Sequence, residues 1–120
     1  LWGITAGVYL ALMGPQGIAE IGEGIMQRSH YAAMQLAAID GVTSPLFAGP
    51  FFKEFVVNFD ATGKSVAEIN RALLAQGIFG GKDLSREFPE LGRSALYCFT
   101  EVHRQADIDR LVAAVREAVQ

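Results

Sequence analysis

Residues 49–59, Gly-Pro-Phe-Phe-Lys-Glu-Phe-Val-Val-Asn-Phe, form a turn that opens directly into the most strand-like segment of the chain. Gly49 and Pro50 punctuate, and the Phe/Val-rich run after them suits a pleated, half-buried surface. Everything before this stretch has helical periodicity; everything after it alternates strand-like and helix-like pieces. The architecture therefore has to turn at residues 49–53, which predicts a small, mainly antiparallel α+β sheet with helices packed on one side.

At 120 residues the chain suffices for one domain, residues 1–120, with a real core but not for two. A net charge of −3 with ten scattered basic residues argues against a sequence-independent hold on nucleic acid, which needs clustered Lys and Arg. The single cysteine, Cys98, lies in an apolar run and is expected in the core; with no second thiol in the chain it forms no internal disulfide, which is compatible with a reducing compartment. The chain starts at Leu1 and carries no charge before Glu20. Gly14-Pro15-Gln16-Gly17 interrupts that opening after thirteen residues, too few to span a membrane, and no basic region precedes it. The opening is read as a helix whose apolar surface is meant for neighbouring protein, and the chain as a piece of something longer.

Taken in order, Leu1–Met13 is a short helix, apolar nearly all round, as befits one buried on more than one side. Gly14 ends it and Pro15 opens a second helix to about Ala38, with Ile18, Ile21, Ile25, Ala32, Leu36 and Ile39 as its apolar stripe. Glu20, Glu23, Gln27 and Arg28 are expected to face water. Gly22 and Gly24 mark either the close approach of another backbone or a tolerated weak spot. Residues 42–47 are expected to make a short edge strand, confined to a rim by Pro45. The segment Glu54–Phe59 is the firm strand, with Phe55, Val57 and Phe59 on one face. Ser65 and Glu68 form a capping box for a helix with Val66, Ile69, Leu73 and Leu74 inward. Residues 78–92, rich in Gly and charge, read as irregular strand or loop. The segment Ser94–Thr100 reads as a strand buried on both faces, and Gln105–Val119 as a final helix with Ile108, Leu111, Val112, Val115 and Val119 at helical spacing.

No motif carries chemistry by itself. Thr62-Gly63-Lys64-Ser65 resembles the end of a phosphate-binding loop, but Asn58 stands where that loop needs glycine, and a turn followed by the Ser65 cap accounts for every residue. His30 and His103 have no ligand-spaced Cys or His, so no metal site is expected, and both are read as surface or cap-adjacent residues. Glu54 with Glu101, and Asp83 with Glu87, are the only carboxylate pairs to weigh, and neither spacing dictates acid–base geometry. The expected inventory is no catalytic, cofactor-binding or metal-binding residue; Lys53, which interrupts an apolar turn, and Arg86, in the Gly-rich region, are the candidates for a cleft or subunit contact.

Three stretches in this order carry a family likeness: Gly49-Pro-Phe-Phe-Lys-Glu-Phe-Val-Val57; Gly77-Ile-Phe-Gly-Gly81 with Leu84, Arg86 and Phe88-Pro-Glu-Leu91; and Cys98-Phe-Thr-Glu101 followed by Ile108-Asp-Arg-Leu111. Together with Val8–Leu12 and Gly14-Pro15 they resemble the C-terminal part of glycine dehydrogenase (decarboxylating) subunit 1, one half of the split P-protein of the glycine cleavage system. The resemblance covers nearly the whole chain. It implies the C-terminal small domain of a fold type I (aspartate-aminotransferase-like) pyridoxal phosphate enzyme, preceded by its lead-in helix. It implies further that the complete enzyme, a cytoplasmic heterotetramer, decarboxylates glycine and passes the aminomethyl group to the lipoyl H-protein. The resemblance also implies that the Schiff-base lysine, and with it the cofactor, belongs to the large domain on a second P-protein subunit; Lys53, Lys64 and Lys82 match no Schiff-base motif, and this chain alone is expected to be inactive.

The chain departs from the family at Lys53, where the resemblance leads one to expect Asn, and at Arg104, where a helix-capping Thr is expected. The strand Ser94–Thr100 lacks the carboxylate-binding Arg of related small domains, which points to a supporting role. The alternative from a different class is a free-standing small-molecule-binding or regulatory α+β module, its ligand against the Gly77–Arg86 region. A torn-out domain exposes the Leu1–Met13 helix; a self-sufficient module buries it or dimerises through it.

Overall fold

The computed structural model describes all 120 residues. Helix α1 (Trp2–Ala37) is two arms joined at Gly14, whose φ of 61° and ψ of 176° belong to a region that only glycine enters freely. Pro15 then starts the second arm with its φ already helical and no amide to leave unpaired. The second arm buries Ile25, Ser29, Ala32, Ala33 and Leu36, one stripe at helical spacing. Leu1–Met13 has no such stripe in contact with the rest: Trp2 is 90% and Leu12 80% exposed. No helix is long and apolar enough to cross a membrane.

After α1 the chain does not make the expected strand at 42–47. It forms only an isolated bridge, Thr43 with Asn58, and one further bond, Leu46 N–H to the Val56 carbonyl at 2.8 Å. Pro45 between them has no amide to donate, so the pairing stays at two points. Strand β1 (Glu54–Asn58) follows, then a 3₁₀ turn over Asp60–Thr62 and helix α2 (Val66–Ala75). The capping box is formed: Ser65 Oγ accepts from the Glu68 amide at 3.2 Å, and the Glu68 carboxylate accepts from the Ser65 amide at 2.8 Å. Gly63 and Lys64 thus lead into a helix cap, in agreement with the rejection of a phosphate loop.

The irregular region contributes strand β2 (Lys82–Asp83) and a 3₁₀ turn over Pro89–Leu91, after which come strand β3 (Ser94–Cys98) and helix α3 (Gln105–Ala118). The sheet order is β1-β3-β2, both pairs antiparallel, with Phe55 opposite Tyr97 and Val57 opposite Ala95. Phe55, Val57, Ala95 and Tyr97 point into one core with Leu36, Ile69, Leu73, Ile108, Val112 and Val115, so all three helices lie on the same side of the sheet. This is the expected fold class.

Strand β3 corrects two expectations. It ends at Cys98, two residues early, and it is not buried on both faces: Leu96 is only half-buried and Cys98 is exposed. An apolar run hides its alternation, and no helix covers the second face.

Arg104 stands at the N-cap of α3 without making a side-chain bond to the helix, because a guanidinium accepts nothing. Only the return half of the box exists, the Asp107 carboxylate accepting from the Arg104 amide at 2.9 Å. Arg104→Ser completes it and is expected to raise stability by about 1 kcal/mol, read as a higher urea midpoint. An unchanged or lower midpoint would show the cap to be irrelevant.

Candidate functional site

The turn before β1 is fixed by α1. Ser29 Oγ donates to the Phe52 carbonyl at 2.6 Å, and His30 Nε2 donates to the Phe51 carbonyl at 3.1 Å while its ring stacks on Phe51 at 4.3 Å. Across the sheet, the Phe99 amide donates to the Lys53 carbonyl at 2.9 Å. Lys53 is thereby held beside the C-terminal end of β3, exposed. Arg86 lies past β2, where the Leu84 amide donates to the Ser94 carbonyl at 2.9 Å, beside the N-terminal end of the same strand. The length of β3, about 17 Å, separates the two neighbourhoods, so they do not converge on one cleft.

His30 is half-buried as a tether for this turn, not a surface residue. His103 Nδ1 accepts from the Thr100 amide at 2.9 Å, which closes the turn before α3 and leaves the proton of the neutral ring on Nε2. Arg28, expected to face water, bends back: Nε donates to the His103 carbonyl and Nη1 to the Gly24 carbonyl, both at 2.8 Å. At Gly24 the close neighbour is this guanidinium, and at Gly22 nothing approaches.

The principal concavity near the Gly-rich loop is a cleft of about 230 Å³ between residues 77–81, the end of β3 and the start of α3. Its charged groups are already committed to the fold. Asp107 holds the Arg104 amide, and Arg110 donates to the Gln76 carbonyl. Cys98 borders the cleft, exposed, but partial desolvation first and the Glu54 carboxylate next push its thiol up, with Lys53 opposing, so it is a poor nucleophile. Neither Glu54 with Glu101 nor Asp83 with Glu87 forms a bonded pair; Asp83 accepts from the Ser85 amide and Glu87 from Lys82 Nζ at 2.8 Å.

One group was not legible in the sequence. The Tyr97 hydroxyl, turned inward by strand parity, is buried with no hydrogen-bond partner. Burial pushes its phenol up to about 12, and the Gly81 amide, short of hydrogen-bond geometry, offsets only part of this. The native state therefore holds this proton more tightly than the unfolded chain. The resulting stabilisation is complete below pH 10 and is lost as pH rises towards 12, by about 3 kcal/mol in all. Tyr97→Phe is expected to abolish that alkaline loss and to add about 1 kcal/mol at neutral pH by removing an orphaned polar group. Urea midpoints at pH 7 and pH 11 check both parts, and a less stable variant at pH 7 would mean the hydroxyl has a partner.

In pyridoxal phosphate enzymes a lysine carries the cofactor as a Schiff base. Here Lys82 is ion-paired on the surface, Lys53 is exposed, and none of the three lysines lines the five main clefts. No step of such chemistry is assigned to these lysines.

No family model matches the chain. It is 44% identical over 97% of its length to a probable glycine dehydrogenase (decarboxylating) subunit 1 of Staphylothermus marinus, of which it covers 24%. A protein of the same description from Moorella thermoacetica is likewise 44% identical over 97% of the chain, which covers 25% of it. Among solved structures, the inhibitor-bound crystal structure of glycine decarboxylase (P-protein) of the glycine cleavage system matches with a TM-score of 0.81 at 31% identity, over 92% of this chain and 24% of that one. The chain thus spans about a quarter of the length of the relatives it matches. In sequence and in fold, the chain is similar to one segment, about a quarter, of proteins described as glycine dehydrogenase (decarboxylating) subunit 1.

Proposed function

We propose that these residues are the C-terminal small domain, with its lead-in helix, of a pyridoxal-phosphate-dependent glycine decarboxylase subunit of the glycine cleavage system. The observation that carries this reading is the P-protein match, in which one quarter-length segment shares both sequence and fold with nearly all of this chain. In this reading the whole enzyme is a cytoplasmic heterotetramer that decarboxylates glycine and hands the aminomethyl group to the lipoyl H-protein, and the cofactor sits on the second P-protein subunit. This segment contributes packing and subunit contacts; Lys53 borders the cleft or the second subunit, and Arg86 contacts protein at the other end of β3. The exposure of Leu1–Met13 supports a domain within a larger protein over a free-standing module that buries this helix itself.

The test is exchange of labelled bicarbonate into the carboxyl group of glycine. The full-length subunit with its second subunit, pyridoxal phosphate and lipoyl H-protein is expected to catalyse it, and the 120-residue chain is expected not to. Absence of exchange by the fully loaded pair would overturn the reading. Lys53→Ala or Arg86→Ala is expected to weaken subunit association about tenfold, roughly 1.4 kcal/mol, in a titration of one subunit with the other. Unchanged association for both would remove them from the interface.

A further inference from the structure

The cleft between residues 77–81, the end of β3 and the first turns of α3 encloses about 230 Å³. Pockets for drug-sized ligands begin at about 300 Å³, so this one suits a small metabolite. Its wall carries one charge of each sign. Asp107 and Arg110 stand three residues apart on α3 and so leave the helix on the same side, yet they are not paired with each other. Each is anchored to backbone instead: Asp107 gives Oδ2 to the Arg104 amide, and Arg110 gives Nη2 to the Gln76 carbonyl. Asp107 Oδ1 and the Nε and Nη1 of Arg110 have no partner in the protein. An acid and a base held one turn apart, and kept from each other by separate anchors, match a ligand that carries both signs.

The floor makes a second, independent demand. Tyr97 lines the cleft and is only 4% exposed, and its hydroxyl has no hydrogen-bond partner. A hydroxyl so placed is costly until an acceptor reaches it. Ile78, Phe99 and Leu111 complete the lining with apolar surface. We propose that this cleft binds a small apolar L-α-amino acid. The carboxylate lies against Arg110 and accepts from the Tyr97 hydroxyl, the ammonium lies against Asp107 Oδ1, and the side chain packs on Ile78, Phe99 and Leu111. Residues 80 and 81 part slightly from the Tyr97 ring as the carboxylate enters, because that oxygen is closed to solvent. An α-amino acid sets its two charges one carbon apart, which neither a simple acid nor a simple amine reproduces, and the apolar wall favours one with a side chain over glycine.

The test is isothermal titration of the full-length polypeptide, purified alone and free of pyridoxal phosphate, with L-leucine as the probe. Saturable binding with a Kd on the order of 1 mM is expected. Isocaproate lacks the ammonium, isoamylamine the carboxylate and glycine the side chain, and each is expected to bind at least about fivefold more weakly. Asp107→Asn keeps an acceptor for the Arg104 amide and is expected to remove the advantage of leucine over isocaproate. Arg110→Gln is expected to remove its advantage over isoamylamine. A helix merely loosened by these changes alters neither selectivity. Tyr97→Phe is expected to weaken leucine binding about fivefold. Absence of saturation below about 20 mM, equal binding of glycine and leucine, or selectivities unmoved by both α3 variants overturns the proposal. The bicarbonate-exchange assay, run on the same polypeptide once its second subunit, cofactor and H-protein are added, tests the functional reading separately, so either can fail without the other.

Discussion

Phe59→Ala is expected to cost about 4 kcal/mol, near the upper end for a buried aromatic truncated to alanine, and so to remove a large part of the 5–15 kcal/mol typical of a domain. The ring has no exposure and sits where β1 leaves the core. Its backbone is pinned on both sides: the Phe59 amide donates to the Arg93 carbonyl at 2.9 Å, and the Phe59 carbonyl accepts from the Thr62 amide at 3.0 Å and from Thr62 Oγ1 at 2.7 Å. A segment so held cannot relax into the void, and it is relaxation that makes truncation cheap. A urea titration of the 120-residue chain, with the slope unchanged, measures the loss. Phe79→Ala is the control: that ring is 91% exposed, and its removal is expected to stay within about 0.5 kcal/mol. A Phe59 variant losing under 2 kcal/mol would mean the core around β1 is looser than described.

The second large effect is at Gly81. A Cβ there meets the Tyr97 ring at 2.6 and 2.8 Å and the Leu96 carbonyl at 2.9 Å. The ring is wedged in the core and the carbonyl belongs to β3, so neither yields cheaply. Gly81→Ala is expected to cost about 3 kcal/mol by overpacking. Gly22→Ala, by contrast, puts a methyl into open space within a helix and is expected to gain up to about 1 kcal/mol. Opposite shifts of the two urea midpoints are the expected result. If both variants are stabilised, the loop over Tyr97 can lift, and the close approach at Gly81 does not constrain the fold.

Periodicity made the helices legible: Ile25, Ala32 and Leu36 in α1, Ile69 and Leu73 in α2, and Ile108, Leu111 and Val115 in α3 lie inward as spaced. Parity did the same for Phe55 and Val57, and the Ser65–Glu68 cap was visible residue by residue. Strand β2 was not, because two residues carry no period; it exists only since β3 offers an open edge. Cys98 was misplaced for a related reason, since Ala-Leu-Tyr-Cys-Phe reads as apolar throughout whichever face is covered. The inward turn of Arg28 depends on a carbonyl 75 residues away, and the orphaned Tyr97 hydroxyl on a loop that passes close only because residue 81 is glycine. The separation of Lys53 from Arg86 was equally hidden: each was a candidate for a cleft or subunit contact, and only the antiparallel order shows that they stand at opposite ends of β3.

The tethers from Ser29 and His30 to the carbonyls of Phe52 and Phe51 make the turn before β1 move with the second arm of α1. A rotation of that arm about its own axis has to carry residues 51 and 52 through the same angle or break both bonds and the ring stack. The backbone of Lys53, one residue further on and bonded to the Phe99 amide, is therefore where the helix-held turn meets the sheet. In mechanical terms the long helix is a shaft and the 51–53 turn a key cut into it, so torque applied along α1 arrives at the mouth of β1 with little slack.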